Sequence, residues 1–149
     1  MGLGKTIQGK EQASIIMPVY RPCKPSSSGV QKVYEQHART LSIICDPTSQ
    51  LLSDLKDCIQ ERQKQGDLII IWMNLNNPVQ WYNHTKRLGK LHMKETILTT
   101  YIGTPPLATN ILNESNYPIG CIWCSLGLTA LRAGYSKFKA DIPSDHRVL

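Results

Sequence analysis

The sequence of 149 residues predicts a layered α/β domain, and three features carry this prediction. A helix is expected between Asp46 and Gly66, because Asp46 can cap its N-terminus, Pro47 suits the first helical position and Gly66 can end it in the left-handed conformation. The continuous apolar run at 68–72 follows at once and is typical of a central strand covered on both faces. Two more apolar runs predict further strands, at residues 13–20 and 119–125.

The remaining elements complete an order of strand, helices, strand, helix and strand in one domain spanning residues 1–149. Apolar spacing predicts a helix over residues 30–41 and a weaker one over 79–91. Pro18 is unusual inside the first strand, because proline lacks the backbone N–H that donates to a neighbouring strand. The polar stretch at 74–78 follows the central strand, which is where ligand-binding residues collect in layered α/β proteins.

The composition is that of a globular protein and limits the kind of partner. Hydrophobic residues make up 41% and charged residues 19%, with 17 Lys and Arg against 11 Asp and Glu. A net charge of +6 suits nucleic acid, but the basic residues are scattered, so a merely soluble basic protein fits as well. No run approaches the ~18 apolar residues that span a bilayer, so no membrane partner is expected. The five cysteines are expected to be free thiols in an intracellular location, with the nucleus as one option.

Two short motifs are weak signals of function. Residues 4–6 end a phosphate-loop pattern, yet the pattern needs a preceding strand and an earlier glycine that would fall before Met1. Cys121 and Cys124 form a single CxxC, whereas a structural zinc site needs four ligands. If these cysteines lie on a strand, residues three apart point to opposite faces and cannot hold one ion. Neither motif is therefore taken as a site.

A stronger signal comes from four segments that occur in register along the chain. Together they resemble the endonuclease/exonuclease/phosphatase superfamily, and most closely the domains carried by non-LTR retroelements. The resemblance covers nearly the whole chain from about Gln8 onward. The segments that carry it are VYRPC at 19–23, GDLIIIWMNLN at 66–76, PIGCIWCS at 118–125 and IPSDHR at 142–147.

The resemblance implies a fold, an activity and a set of site residues. The fold would be a partial four-layer α/β sandwich, the C-terminal portion of the family's domain with its first strands missing. The activity would be magnesium-dependent hydrolysis of nucleic-acid phosphodiesters, in which metal charge offsets the charge of the transition state. By the family's motifs, Tyr20, Asn76 and His146 match groups near the scissile phosphate, and Asp145 matches the Asp of the terminal Asp-His pair, which we assign to the metal.

Departures from the family's motifs imply a weakly active or inactive enzyme. Asn74 stands where the family has an acidic residue, and Gly120 stands where it has the Asp that braces His146. Trp72 and Met73 replace two glycines. A positioned acid or base contributes about 10²–10⁴-fold, so even one such loss brings hydrolysis near background.

Two alternatives to an enzyme remain open. The chain is also consistent with a non-catalytic nucleic-acid-binding module, with DNA favoured over RNA, and with a translated retroelement remnant. A truncated sandwich exposes sheet edges, so self-association through those edges is expected.

Overall fold

The computed structural model describes residues 5–7, 10–21, 33–40, 46–75, 83–100, 102, 108 and 118–134. Within these ranges the chain forms six strands and four helices. The strands are β1 Lys5–Ile7, β2 Lys10–Gln12, β3 Ser14–Tyr20, β4 Leu68–Asn74, β5 Met93–Glu95 and β6 Gly120–Ser125. The helices are α1 Val33–Thr40, α2 Pro47–Gln65, α3 Asn83–Lys90 and α4 Thr96–Thr100.

Four of the strands form one mixed sheet in the order β3-β4-β6-β5. Strand β3 runs parallel to β4, whereas β6 runs antiparallel to both β4 and β5. Strands β1 and β2 form a separate antiparallel pair. The α/β class expected from the sequence is confirmed, with β4 as a central strand of the sheet.

Helix α2 begins and ends where its capping residues predict. Asp46 has extended backbone angles, and its Oδ2 accepts a hydrogen bond from the Ser49 backbone N–H at 3.0 Å. Pro47 takes the first helical position, where no N–H is needed. Gly66 has φ +83°, and its N–H donates to the Gln63 carbonyl at 3.0 Å. The chain therefore turns directly from α2 into β4.

One face of the sheet, called here the inner face, forms the hydrophobic core with α2 and α3. Side chains alternate across a strand, so every second residue of β4 points to this face. The helices contribute Leu55 and Ile59 from α2 and Leu88 from α3. The fully buried side chains include Ile59, Ile69, Ile71, Met73, Leu75, Cys121 and Trp123.

The opposite face, called here the outer face, is partly open to solvent. The prediction that the central strand is covered on both faces is wrong, because Trp72 of β4 is 54% exposed. Ile16 of β3 is 60% exposed on the same side. The sequence could not reveal this difference, since the run at 68–72 is apolar at every position and gives no alternation to read.

The position of β3 explains how the sheet tolerates Pro18. The Arg21 N–H donates to the Asn74 carbonyl of β4 at 2.9 Å, and the Ala13 carbonyl accepts from the Leu68 N–H at 2.8 Å. Because backbone groups alternate sides along a strand, the odd-numbered residues of β3 face β4. The nitrogen of Pro18 faces away from β4 on the outermost strand, where the sheet loses no hydrogen bond.

The structure also contains elements that the sequence did not predict. Strand β5 and helix α4 follow α3 directly, and each is too short for a periodic pattern to show. Lys5 and Thr6 lie in β1, paired with β2, and not in a loop before a helix. In the ranges that the structure describes, no helix has the length and apolar character needed to cross a bilayer.

Substitution by alanine should change the free energy of unfolding in opposite directions at Gly66 and Gly89. Gly66→Ala should destabilise the protein by about 1 kcal/mol, because an L-residue is strained at its left-handed φ although there is room for a Cβ. Gly89→Ala should instead stabilise by roughly 0.5 kcal/mol, since it lies in α3 with open space around it and alanine favours helix. Urea denaturation of both variants measures this, and shifts of the same sign would contradict the assigned backbone conformations.

Candidate functional site

Three residues that the sequence singled out lie in one row across the sheet. Tyr20 of β3 is aligned with Asn74 of β4, and Asn74 is aligned with Gly120 of β6. The row crosses three adjacent strands at the end of the sheet where the parallel strands β3 and β4 finish. The carboxyl ends of parallel strands are the usual location of ligand sites in α/β sheets.

The row offers neutral hydrogen-bonding groups and no carboxylate. Aligned residues on neighbouring strands project from the same face, so Tyr20 and Asn74 both lie on the outer face. Tyr20 is 52% exposed, and Asn74 is half-buried. Gly120 has no side chain, so nothing projects from β6 beside the Asn74 side chain. A phenol hydroxyl and a carboxamide can both donate hydrogen bonds to an anionic oxygen.

Arg21 directly follows Tyr20 and contacts the chain that leaves β4. Its guanidinium Nη1 donates to the Leu75 carbonyl at 3.1 Å, while its backbone N–H bonds to Asn74. The Leu75 N–H in turn donates to the carbonyl of Ile119, the residue just before β6, at 2.8 Å. These contacts tie the ends of β3, β4 and β6 together. Arg21 is not among the site residues that the motifs predict, because only the meeting of the strand ends brings it to Leu75.

The other predicted site residues lie outside the described ranges. These are Asn76, Asp145 and His146, so their positions relative to Tyr20 and Asn74 stay predictions. Within the part of the chain that the structure describes, no group of three or more His, Cys, Asp or Glu side chains could hold a metal ion. Magnesium prefers carboxylate oxygens, and Tyr20 with Asn74 supplies none. The described residues of the row do not by themselves fit a magnesium site.

The two bulky residues that precede Asn74 point to opposite sides of β4. Trp72 lies on the outer face, and Met73 is buried in the core at 1% exposure. Trp72 is aligned with Pro18 on β3 and with Ile122 on β6. The indole therefore lies on the outer face two residues before Asn74, adjacent to the row. The outer face next to the row is therefore an aromatic surface and not bare backbone.

The CxxC pair lies on β6, and its two thiols are on opposite faces, as the strand spacing predicts. Cys121 is buried on the inner face and accepts a hydrogen bond from the Trp123 indole N–H at 3.2 Å. Burial raises the pKa of the Cys121 thiol to about 12. Burial also raises the pKa of Cys124. Neither thiol is poised as a thiolate, so the pair is part of the packing.

Glu95 is a buried carboxylate that the sequence did not bring to attention. It is 4% exposed at the end of β5, where its Oε2 accepts a hydrogen bond from the Leu98 N–H. Burial raises the pKa of Glu95, and backbone hydrogen bonds from Leu98, Ile122 and Ile97 oppose part of that rise. The carboxylate closes the first turn of α4 and lies away from the row.

The raised pKa of Glu95 predicts a pH-dependent stability. The folded protein holds this proton more tightly than the unfolded chain, so the stabilising contribution is complete below the ordinary pKa of 4.5. It is lost as pH rises through the folded pKa. Glu95→Gln mimics the protonated acid, so it should raise the urea midpoint at about pH 7 more than at about pH 4.

The matched control for this measurement is Glu61→Gln, which removes a carboxylate from the exposed side of α2. If Glu95→Gln changed the midpoint equally at both pH values, the burial argument would be wrong.

A comparison of the chain with protein-family models, with curated proteins and with solved structures finds no match.

Proposed function

We propose that this chain is a nucleic-acid-binding domain of phosphodiesterase ancestry, whose hydrolytic activity is weak or lost. The observation that carries the proposal is the row of Tyr20, Asn74 and Gly120. The motif resemblance assigns all three positions to one site, although they lie far apart in the sequence. Sheet pairing brings them side by side at the carboxyl end of β3 and β4. A chance resemblance would not require them to meet.

The charge of the row favours phosphate over a metal ion. Asn74 and Gly120 occupy positions where the family has carboxylates, so two negative charges are missing there. An anionic phosphate approaches such a surface without repulsion, and the hydroxyl of Tyr20 can donate a hydrogen bond to it. The net charge of +6 adds long-range attraction to nucleic acid.

The same replacements account for weak or absent hydrolysis. His146 would lack the acid at position 120 that orients it, and Asn74 cannot accept a proton as Asp does. Magnesium would have to be held by Asp145 with little help from the row. Groups of a catalytic unit act together, so the loss of one removes most of the rate.

The proposal extends to the architecture and the biological context. The sheet with helices on its inner face corresponds to one half of a four-layer sandwich, in a retroelement-type domain. DNA is the favoured nucleic acid, and an intracellular location, with the nucleus as an option, follows from it. A translated retroelement remnant without a selected function remains the alternative, and it would lack specific binding at the row.

Binding tests the role of Tyr20. Tyr20→Phe removes only the hydroxyl and should weaken binding of a fluorescent DNA oligonucleotide about tenfold, the equivalent of roughly 1.5 kcal/mol for a hydrogen bond to a charged group. Fluorescence anisotropy measures the affinity, which should fall as salt rises. Gln60→Ala, on the exposed side of α2, is the control and should bind like the unchanged protein. If Tyr20→Phe bound DNA as tightly as the unchanged protein, the row would not be part of the binding surface.

Nicking tests the enzyme ancestry directly. If activity survives, supercoiled plasmid should be nicked slowly in magnesium, and His146→Ala should abolish the nicking, because a general acid or base contributes about 10²–10⁴-fold. Gel electrophoresis of the plasmid at high protein concentration measures the rate, with EDTA as the control for metal. Nicking that persists in His146→Ala would exclude this residue as its source, and absence of nicking would leave binding as the function.

A further inference from the structure

The outer face of the sheet carries two aromatic side chains that are open to solvent and close to each other. Trp72 is 54% and Tyr20 is 52% exposed. Tyr20 is aligned with Asn74, and Trp72 lies two residues earlier on the same strand, so the two rings are diagonal neighbours on β3 and β4. The strand spacing of ~4.8 Å and the rise of two residues place their Cα atoms roughly 8 Å apart. The outer face therefore offers two flat apolar surfaces side by side.

The charge on this face is positive. Lys94 of β5 is exposed and aligned with Cys124 of β6, so it projects from the outer face. Arg132 is also exposed, and it lines a crevice of about 430 Å³ together with Ile70 and Ile122 of the same face. Among the described residues of the four-stranded sheet, none that points to the outer face is Asp or Glu. A ligand that fits this face has flat rings and negative charges.

The aromatic and cationic groups follow one diagonal across the sheet. The register places Tyr20 on β3, Trp72 on β4 and Cys124 on β6 in successive steps of one strand and two residues. Lys94 lies beside Cys124 at the end of this diagonal, and Cys124 lines the same crevice as Arg132. From Tyr20 to Lys94 the diagonal measures about 20 Å. An extended chain of a few nucleotides covers that distance.

We propose that the outer face binds a single strand of DNA, with bases stacked on Trp72 and Tyr20 and with phosphates near Arg132 and Lys94. This inference rests on the proposed function and specifies the form of nucleic acid that the site takes. Stacking on aromatic side chains next to cations that follow the backbone is how proteins bind single strands without reading their sequence. The ring of Tyr20 can carry a base while its hydroxyl donates to a phosphate, so both roles serve one ligand.

The spacing of the two rings selects against a duplex. Neighbouring nucleotides of a duplex strand are about 3.4 Å apart along the helix axis, less than half of the roughly 8 Å between Trp72 and Tyr20. Bases on both rings must therefore separate from each other, which in a duplex costs unstacking and unpairing energy. A duplex presents phosphates and base edges, so it would also leave the exposed indole of Trp72 without a base to stack on.

Fluorescence anisotropy with one labelled oligonucleotide, before and after annealing to its complement, tests this inference. The single strand should bind at least about tenfold more tightly than the duplex. Trp72→Leu keeps an apolar side chain but removes the flat ring, and it should weaken single-strand binding about 10–100-fold. Leu126→Ala removes a side chain of the same 54% exposure at the other end of β6 and should bind like the unchanged protein. Circular dichroism melts verify that each variant is folded.

The salt dependence of single-strand binding separates the cations from the rings. Arg132→Gln and Lys94→Gln should each lower the slope of log Kd against log salt by about 0.7, the value for one phosphate contact of a single strand. Trp72→Leu should leave this slope unchanged, because stacking releases no counterion. Lys56→Gln removes one exposed cation from α2, behind the sheet, and is the control that should also keep the slope.

Tryptophan fluorescence identifies the stacked ring. Of the three tryptophans, Trp123 is only 2% exposed and is out of reach of a base. Saturation with the single strand should quench the emission, because a base stacks on the Trp72 indole. Trp72→Phe keeps an aromatic ring, so it should retain most of the affinity and lose the quenching.

Two results would overturn the inference. One is a duplex that binds as tightly as the single strand, and the other is a Trp72→Leu variant that binds as well as Leu126→Ala. If Tyr20→Phe still weakened DNA binding in either case, the proposed function would stand without this inference. If neither form of DNA bound, both would fail.

Discussion

Strand β4 is the element on which the rest of the structure depends, because it is paired along both edges and buried along one face. It supplies the parallel partner of β3 and the antiparallel partner of β6. Ile69, Ile71 and Met73 project from it into the core beneath α2, where each is at most 1% exposed. Loss of register by one residue would exchange these side chains for Ile70 and Trp72, so the core fixes the alignment of the whole sheet.

That alignment is also what creates the candidate site. The same pairing that buries Ile71 sets Tyr20, Asn74 and Gly120 in one row at the sheet end. Arg21 then anchors the end of β3 to the chain that leaves β4. A site built on paired strands is held more rigidly than one built on loops, since every position is fixed by backbone hydrogen bonds. Binding at the row and stability of the core are consequences of a single register.

The two faces of the sheet divide the chemistry of the molecule. The inner face holds the Cys121 thiol and the Glu95 carboxyl. Burial raises the pKa of both groups, because it disfavours their charged forms. The outer face holds the groups that are free to meet a partner, with Trp72 in the middle and Tyr20 at the end. The proposed phosphate contact uses the end of that face.

The sequence by itself determined the elements whose signals are local. Asp46 and Gly66 predicted the ends of α2, because capping depends only on the neighbouring backbone. The run at 68–72 predicted a central strand, because buried strands are rich in apolar side chains. Only the tertiary structure decided which face of that strand is covered, since a uniformly apolar run carries no alternation. It also decided that Tyr20 meets Asn74, because strand pairing joins residues that no local pattern connects.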